Sequence, residues 1–96
     1  MPAPSRVLLL TRAGCHLCEE AESAVAGVCG ELGIGWHQVD VDSDETLRGR
    51  WSDHVPVTFV DQELLSRWFV DPEALQDALR YGEARPMPAG WLPAAA

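Results

Sequence analysis

The sequence predicts an α/β domain with the element order βαβαββα, in which a four-stranded mixed sheet is flanked by helices. Three observations carry this. An apolar run at residues 7–10 is followed by a long stretch of three-and-four spacing and then by a second β-rich run, an order that implies a right-handed parallel crossover. The runs "VPVTFV" and "LLSRWF", separated by Asp61-Gln62-Glu63, read as an antiparallel hairpin. Asp71-Pro72-Glu73 then opens a last helix, a capping side chain followed by proline at the first helical position.

The first run is too short for a helix and rich enough for a buried strand, and it stops where Thr11-Arg12-Ala13-Gly14 breaks the pattern. From Cys15 the apolar residues Leu17, Cys18, Ala21, Ala24, Val25, Val28, Cys29 and Leu32 make one helical stripe. Glu19, Glu20 and Glu22 lie off that stripe near the N-terminus, where they complement the helix dipole. Gly30, Gly33 and Gly35 end the helix, and a strand is expected over residues 34–41, with Trp36, Val39 and Val41. Asp42, followed three residues later by Glu45, resembles a capping box and predicts a short helix to about Trp51. After the hairpin, the last helix should reach Arg80 or Tyr81, with Gly82 as its stop. The domain is expected to span residues 1–82. Residues 83–96, rich in proline and alanine, are expected to be an extended or disordered tail from which Trp91 can dock.

A chain of 96 residues suffices for one domain with one modest core and needs no disulfide staples. A net charge of −8 argues against a nucleic-acid partner, which would need clustered cations. Four apolar residues after Arg6 are far too few for a signal-peptide core or a membrane span, so a cytoplasmic location is the expectation. All seven basic residues are arginine, a bias that carries no functional signal.

Three cysteines do not make the paired framework of a small secreted scaffold, so "GCHLC" asks for a chemical explanation. Cys15 falls at a helix start, where unpaired N–H groups and the positive dipole end favour a thiolate. Cys18 follows about one turn later, close enough for a reversible disulfide. The exposed Cys15 would attack a substrate disulfide and Cys18 would resolve the mixed intermediate. A protonated His16 would add positive charge beside that thiolate. A metal site would need further ligands. Cys29 stands eleven residues beyond Cys18, roughly 16 Å along one helix at about 1.5 Å per residue, and reads as a small buried hydrophobe. A zinc site from Cys15, Cys18 and the distant His54 remains conceivable, as does a cluster shared between two chains; the monomer is expected to hold no metal.

Asp40, Asp42 and Asp44 imitate the start of a calcium loop, but Glu45 stands where glycine is needed and Trp51 where a bidentate glutamate is needed. They read as a strand end and a helix cap. Trp36, Trp51 and Trp68 read as core or rim packing.

With the element order, the helix-opening C-x-x-C and Val55-Pro56 before a strand in place, the chain resembles the thioredoxin superfold. More narrowly, it is similar to the glutaredoxin-like family of small bacterial proteins. The resemblance spans about residues 6–82 and rests on "LLLTRAGCHLCEEAE", "VDVDSDETL" and "HVPVTFVD". It implies a thioredoxin-like fold, and a cis Pro56 facing the cysteines with a backbone edge at Val55 that can pair with a substrate strand. Glutaredoxins hold glutathione with a basic residue three before the first cysteine, a Thr-Val-Pro segment, and a Gly-Gly followed by acidic residues. Arg12 matches the first and Val55-Pro56 most of the second, with His54 in place of threonine. The third is absent, since residues 65–71 read Leu-Ser-Arg-Trp-Phe-Val-Asp.

The function expected on these grounds is thiol–disulfide exchange, with Cys15 as nucleophile and Cys18 as resolving thiol. Arg12, His16, Leu17, His54, Val55 and Pro56 form the expected substrate frame. No cofactor is required, and glutathione or another low-molecular-weight thiol is a candidate electron donor. Expected partners are a disulfide-containing protein or small thiol, and thioredoxin reductase is a candidate. Two other readings stay open: a non-catalytic binding module in which the pair is a redox switch, and an iron–sulfur or zinc carrier formed by two chains.

Overall fold

β1 (Ser5–Thr11) runs through the middle of the molecule, with Val7, Leu8, Leu9 and Leu10 wholly buried, as a continuous apolar run requires when both faces of a strand are covered. It belongs to a computed structural model that describes residues 5–88 and 90–93. After β1 come α1 (His16–Leu32), β2 (Gly35–Asp40), a 3₁₀ turn (Val41–Ser43), α2 (Glu45–Trp51), β3 (Val57–Val60), β4 (Glu63–Arg67) and α3 (Pro72–Tyr81). The sheet order is β2-β1-β3-β4. β1 pairs in parallel with β2 and antiparallel with β3, and β3 pairs antiparallel with β4, so the expected mixed four-stranded sheet is present.

Alternation along β1 builds two cores. Val7 and Leu9 meet Val25 and Cys29 of α1 and Leu75 and Leu79 of α3 on one face. Leu8 and Leu10 meet Leu47, Trp51, Phe59 and Met87 on the other. Each fully buried leucine contributes about 2 kcal/mol of hydrophobic stabilisation. Gly33, at φ 66°, ends α1, and its N–H donates to the Cys29 carbonyl, the left-handed stop that glycine allows. Asp71 caps α3 by accepting from the Glu73 N–H at 3.0 Å, with Pro72 next in line.

The region after β2 departs from expectation. The strand ends at Asp40 rather than Val41, because Val41 turns inward and is wholly buried in the second core. Asp40 caps the 3₁₀ turn by accepting from the Asp42 N–H at 2.8 Å. The cap of α2 is therefore Asp44, which accepts from the Leu47 N–H at 3.0 Å, and not Asp42. Burial of Leu47 and Trp51, four residues apart, fixes that register.

The hairpin also differs. Asp61 and Gln62 take φ of 51° and 69° and form a two-residue loop, leaving Glu63 paired with Val60. Asp61 is fixed from three sides. Arg6 donates to both carboxylate oxygens at 2.8 Å, and the Arg85 N–H donates to one at 2.9 Å. Its own N–H donates to the Arg6 carbonyl at 2.8 Å. Burial alone would raise the Asp61 pKa, but the hydrogen bonds from Arg6 and Arg85 and their positive charge hold it below the ordinary value. β4 stops at Arg67 because Trp68 takes the left-handed φ of 67°, although its N–H still reaches the Pro56 carbonyl, so the expected strand residues Trp68 and Phe69 lie outside it.

Beyond α3 the chain returns to the sheet. The Met87 N–H donates to the Ser5 carbonyl at 2.8 Å, the Met87 side chain is buried, and the Trp91 ring meets Phe59 edge-on at 6.0 Å. The expectation for the tail at residue 89 and at residues 94–96 falls outside the described residues.

Candidate active site

Gly14, at φ 75°, turns the chain out of β1, and Cys15 follows as the N-cap of α1. Cys15 and Cys18 form a disulfide, with their Cα atoms 5.2 Å apart. The Sγ of Cys15 also accepts from the Cys18 backbone N–H at 3.1 Å, which satisfies one of the free amides of the first turn. The two sulfurs are not equivalent. Cys18 is 4% exposed and faces the core, whereas Cys15 is half-buried at the surface.

Both cysteines open on a cleft of about 340 Å³ lined by Thr11, Arg12, Gln38, Asp40, Glu19 and Glu22, among others. Its charge is mainly negative. Arg12 Nε donates to Asp42 at 3.1 Å, so the basic residue beside the first cysteine already has an acidic partner.

The remaining residues of the expected frame gather at the same end of the sheet. Leu10 pairs with Val57 at the end of the β1–β3 ladder, and Val55 and Pro56 come immediately before β3 at that end, where β1 leads out toward Cys15. The Val55–Pro56 peptide is cis. Among the described residues no loop hydrogen bond engages the Val55 backbone. His16 and Leu17 sit on the first turn of α1. His16 is turned to solvent with Nδ1 3.8 Å from Glu19, and Leu17 is 47% exposed. The His54 ring lies 6.3 Å from that of Trp51 and 5.8 Å from that of Trp68, and among the described residues its buried Nδ1 has no hydrogen-bond partner.

Trp68 has a role that sequence reading missed. Its backbone N–H reaches the Pro56 carbonyl at 2.7 Å and the His54 carbonyl at 3.2 Å, and its indole N–H donates to the Asp53 carbonyl at 3.1 Å. It thereby pins the loop of residues 53–56 while leaving half its surface to solvent. The Arg12–Asp42 pair was equally hidden, since thirty positions separate its members.

Cys29 lies in the first core at 1% exposure, and burial pushes its thiol up to about 11, with Arg6 opposing the shift. Among the described residues no group of three or more His, Cys, Asp or Glu side chains is placed to hold a metal ion, and Cys15, Cys18 and His54 form none. No described helix is long and apolar enough to cross a membrane.

Comparison with known proteins agrees with this geometry. An uncharacterized protein of Mycobacterium tuberculosis is 36% identical over 76 residues, covering 74% of this chain and 78% of its own. A relative in Mycobacterium bovis matches to the same extent. The X-ray structure of a structural-genomics target from X. campestris superposes with a TM-score of 0.66 at 27% identity, over 80% of this chain and 99% of that one. The solution structure of protein Ne2328 from Nitrosomonas europaea gives 0.62 at 27%, over 78% and 91%. The fold is thioredoxin-like. The model of the glutaredoxin-like domain (DUF836) matches residues 6–80, from the first strand through the last helix with both cysteines and Pro56 inside, and the chain belongs to that family.

Proposed function

We propose that the protein is a thiol–disulfide oxidoreductase in which Cys15 is the nucleophile and Cys18 the resolving thiol. The observation that carries this is the asymmetry of the pair: the surface sulfur is the one held by a first-turn amide at the helix start, and the buried sulfur lies within bonding reach behind it.

In the reduced protein the Cys15 thiolate attacks one sulfur of a substrate disulfide. A Cys15–substrate disulfide forms, the substrate bond breaks, and the departing thiolate takes a proton from solvent. Cys18 then loses its proton and attacks Cys15 Sγ, closing the Cys15–Cys18 bond and releasing the second substrate thiol. Two electrons have passed from protein to substrate. A thiol donor of low molecular weight, such as glutathione, or thioredoxin reductase restores the dithiol, and the chemistry needs no resident cofactor. A reducing cytoplasm suits this cycle.

Substrate is framed by Arg12, His16, Leu17, His54, Val55 and Pro56, with the Val55 backbone, unbonded among the described residues, offering a strand-like edge. Exposed Leu17, Trp68 and Phe69 add apolar surface suited to a protein disulfide. The test is a trap. Reduced Cys18→Ser, offered a disulfide-containing peptide, should accumulate a mixed disulfide located at Cys15 by peptide mass mapping. An adduct on Cys29, or none, would refute the assignment.

A further inference from the structure

The basic charge at this end of the molecule is not where the cysteines are. Asp42 occupies Arg12, and Glu19, Glu22 and Asp40 line the disulfide cleft. A second and larger cleft, of about 550 Å³, lies between α2 and the end of β4 and is lined by Thr46, Gly49, Arg50, Trp51, His54 and Arg67. Among the described residues that line it there is no acidic side chain, in a chain whose net charge is −8.

Arg50 and Arg67 have no carboxylate partner among the described residues. Arg50 is held over the Trp51 ring, its guanidinium carbon 5.6 Å from the centroid, so its position is partly fixed in advance. Arg67 closes β4, paired with Val57 one residue after Pro56. His54 completes the set. Among the described residues its buried Nδ1 has no hydrogen-bond partner, so Nε2 is the nitrogen left to donate to a ligand. The ring then offers its Nε2 N–H as a donor beside two cations.

We infer that this cleft is an anion site, in which Arg50, Arg67 and His54 take a carboxylate or phosphate group carried by the disulfide substrate. Planar guanidinium groups suit both oxyanions. Arg50 lies outside the three glutathione-holding elements named above, Arg67 stands in the segment that replaces the third of them, and the site lies on the α2 side of Pro56 rather than in the acidic cleft. The existence of the site is independent of the redox reading; its assignment to the substrate rests on that reading.

Inorganic phosphate is the first probe, titrated into the full chain and followed by nitrogen–proton correlation spectra. Saturable shifts are expected at Gly49, Arg50, His54 and Arg67. The doubly substituted Arg50→Ala, Arg67→Ala protein should bind about tenfold more weakly, whereas Arg80→Ala on α3 should bind as the wild type does. Absence of saturable shifts, or equal affinity in the double variant, overturns the site. All three arginines are exposed, and thermal unfolding checks that the variants remain folded. The second arm measures exchange with glutathione disulfide, which carries carboxylates, and with cystamine, which carries none. Phosphate should raise KM for the first and leave the second unchanged, as should the double substitution without phosphate. Phosphate binding with neither KM moved overturns the assignment to substrate. Loss of exchange with cystamine in the wild type would instead refute the redox reading, and the phosphate titration would still decide whether the site exists.

Discussion

The backbone N–H of Cys18 donates to Sγ of Cys15 across 3.1 Å, so the sulfur at the mouth of the cleft is also the one at the positive end of α1. On the proposed reading, the same amide favours a thiolate on Cys15 in the reduced protein. Limited alkylation at neutral pH should therefore modify Cys15 first, with Cys18 and Cys29 at least about tenfold slower. Peptide mass mapping after a short exposure to iodoacetamide reads the order. Prior modification of Cys18 would contradict it.

Cys29 should prove chemically silent. It is buried, its thiol is pushed up to about 11 by that burial, and it shares a core with Val25 and Leu75. Cys29→Ala is expected to leave disulfide exchange unchanged and to cost about 1 kcal/mol of stability, from the small cavity it creates. Urea unfolding beside an exchange assay checks both parts.

The Arg6–Asp61 pair ties the start of β1 to the hairpin loop, and both side chains are largely buried, at 15% and 9% exposure. The folded state holds Asp61 below its ordinary pKa, so the pair stabilises the fold fully above the unfolded value of about 3.9 and loses that contribution as pH falls through the lower folded value. Asp61→Asn should be less stable than the wild type by about 3 kcal/mol at neutral pH, and the gap should narrow in strong acid. Urea midpoints for the two proteins, compared across the acid range, test the sign. A gap that widens toward low pH would contradict it.

Met87 sits in the second core, and its N–H is bonded to Ser5. Met87→Ala should cost about 2 kcal/mol or more, as removal of a buried side chain does. A substitution at exposed Pro88 should cost little. Equal thermal midpoints for Met87→Ala and wild type would mean that this contact contributes nothing.

What the sequence disclosed was local. Cys15 at the helix start, Asp71-Pro72 before α3 and the buried run of β1 follow from rules that act within a few residues, and each expectation matches the structure. The cap of α2 was misplaced because Asp40, Asp42 and Asp44 are equally good caps, and only the burial of Val41 and Leu47 chooses among them. Trp68 read as a strand residue because aromatic residues favour strands; its left-handed φ is set by hydrogen bonds to Pro56 and Asp53, a tertiary demand. Other features join residues far apart in the chain: Arg6 with Asp61, Arg12 with Asp42, Met87 with Ser5, and Arg50 with Arg67 across one cleft. No pattern along the sequence encodes such pairs.

The most direct test compares Cys15→Ser with wild type in the reduction of a small disulfide, with product thiol followed against time. Cys15→Ser should be indistinguishable from the uncatalysed background, since neither Cys18, buried at 4% exposure, nor Cys29 can replace the surface nucleophile. Reduction by Cys15→Ser at the wild-type rate would contradict the central claim.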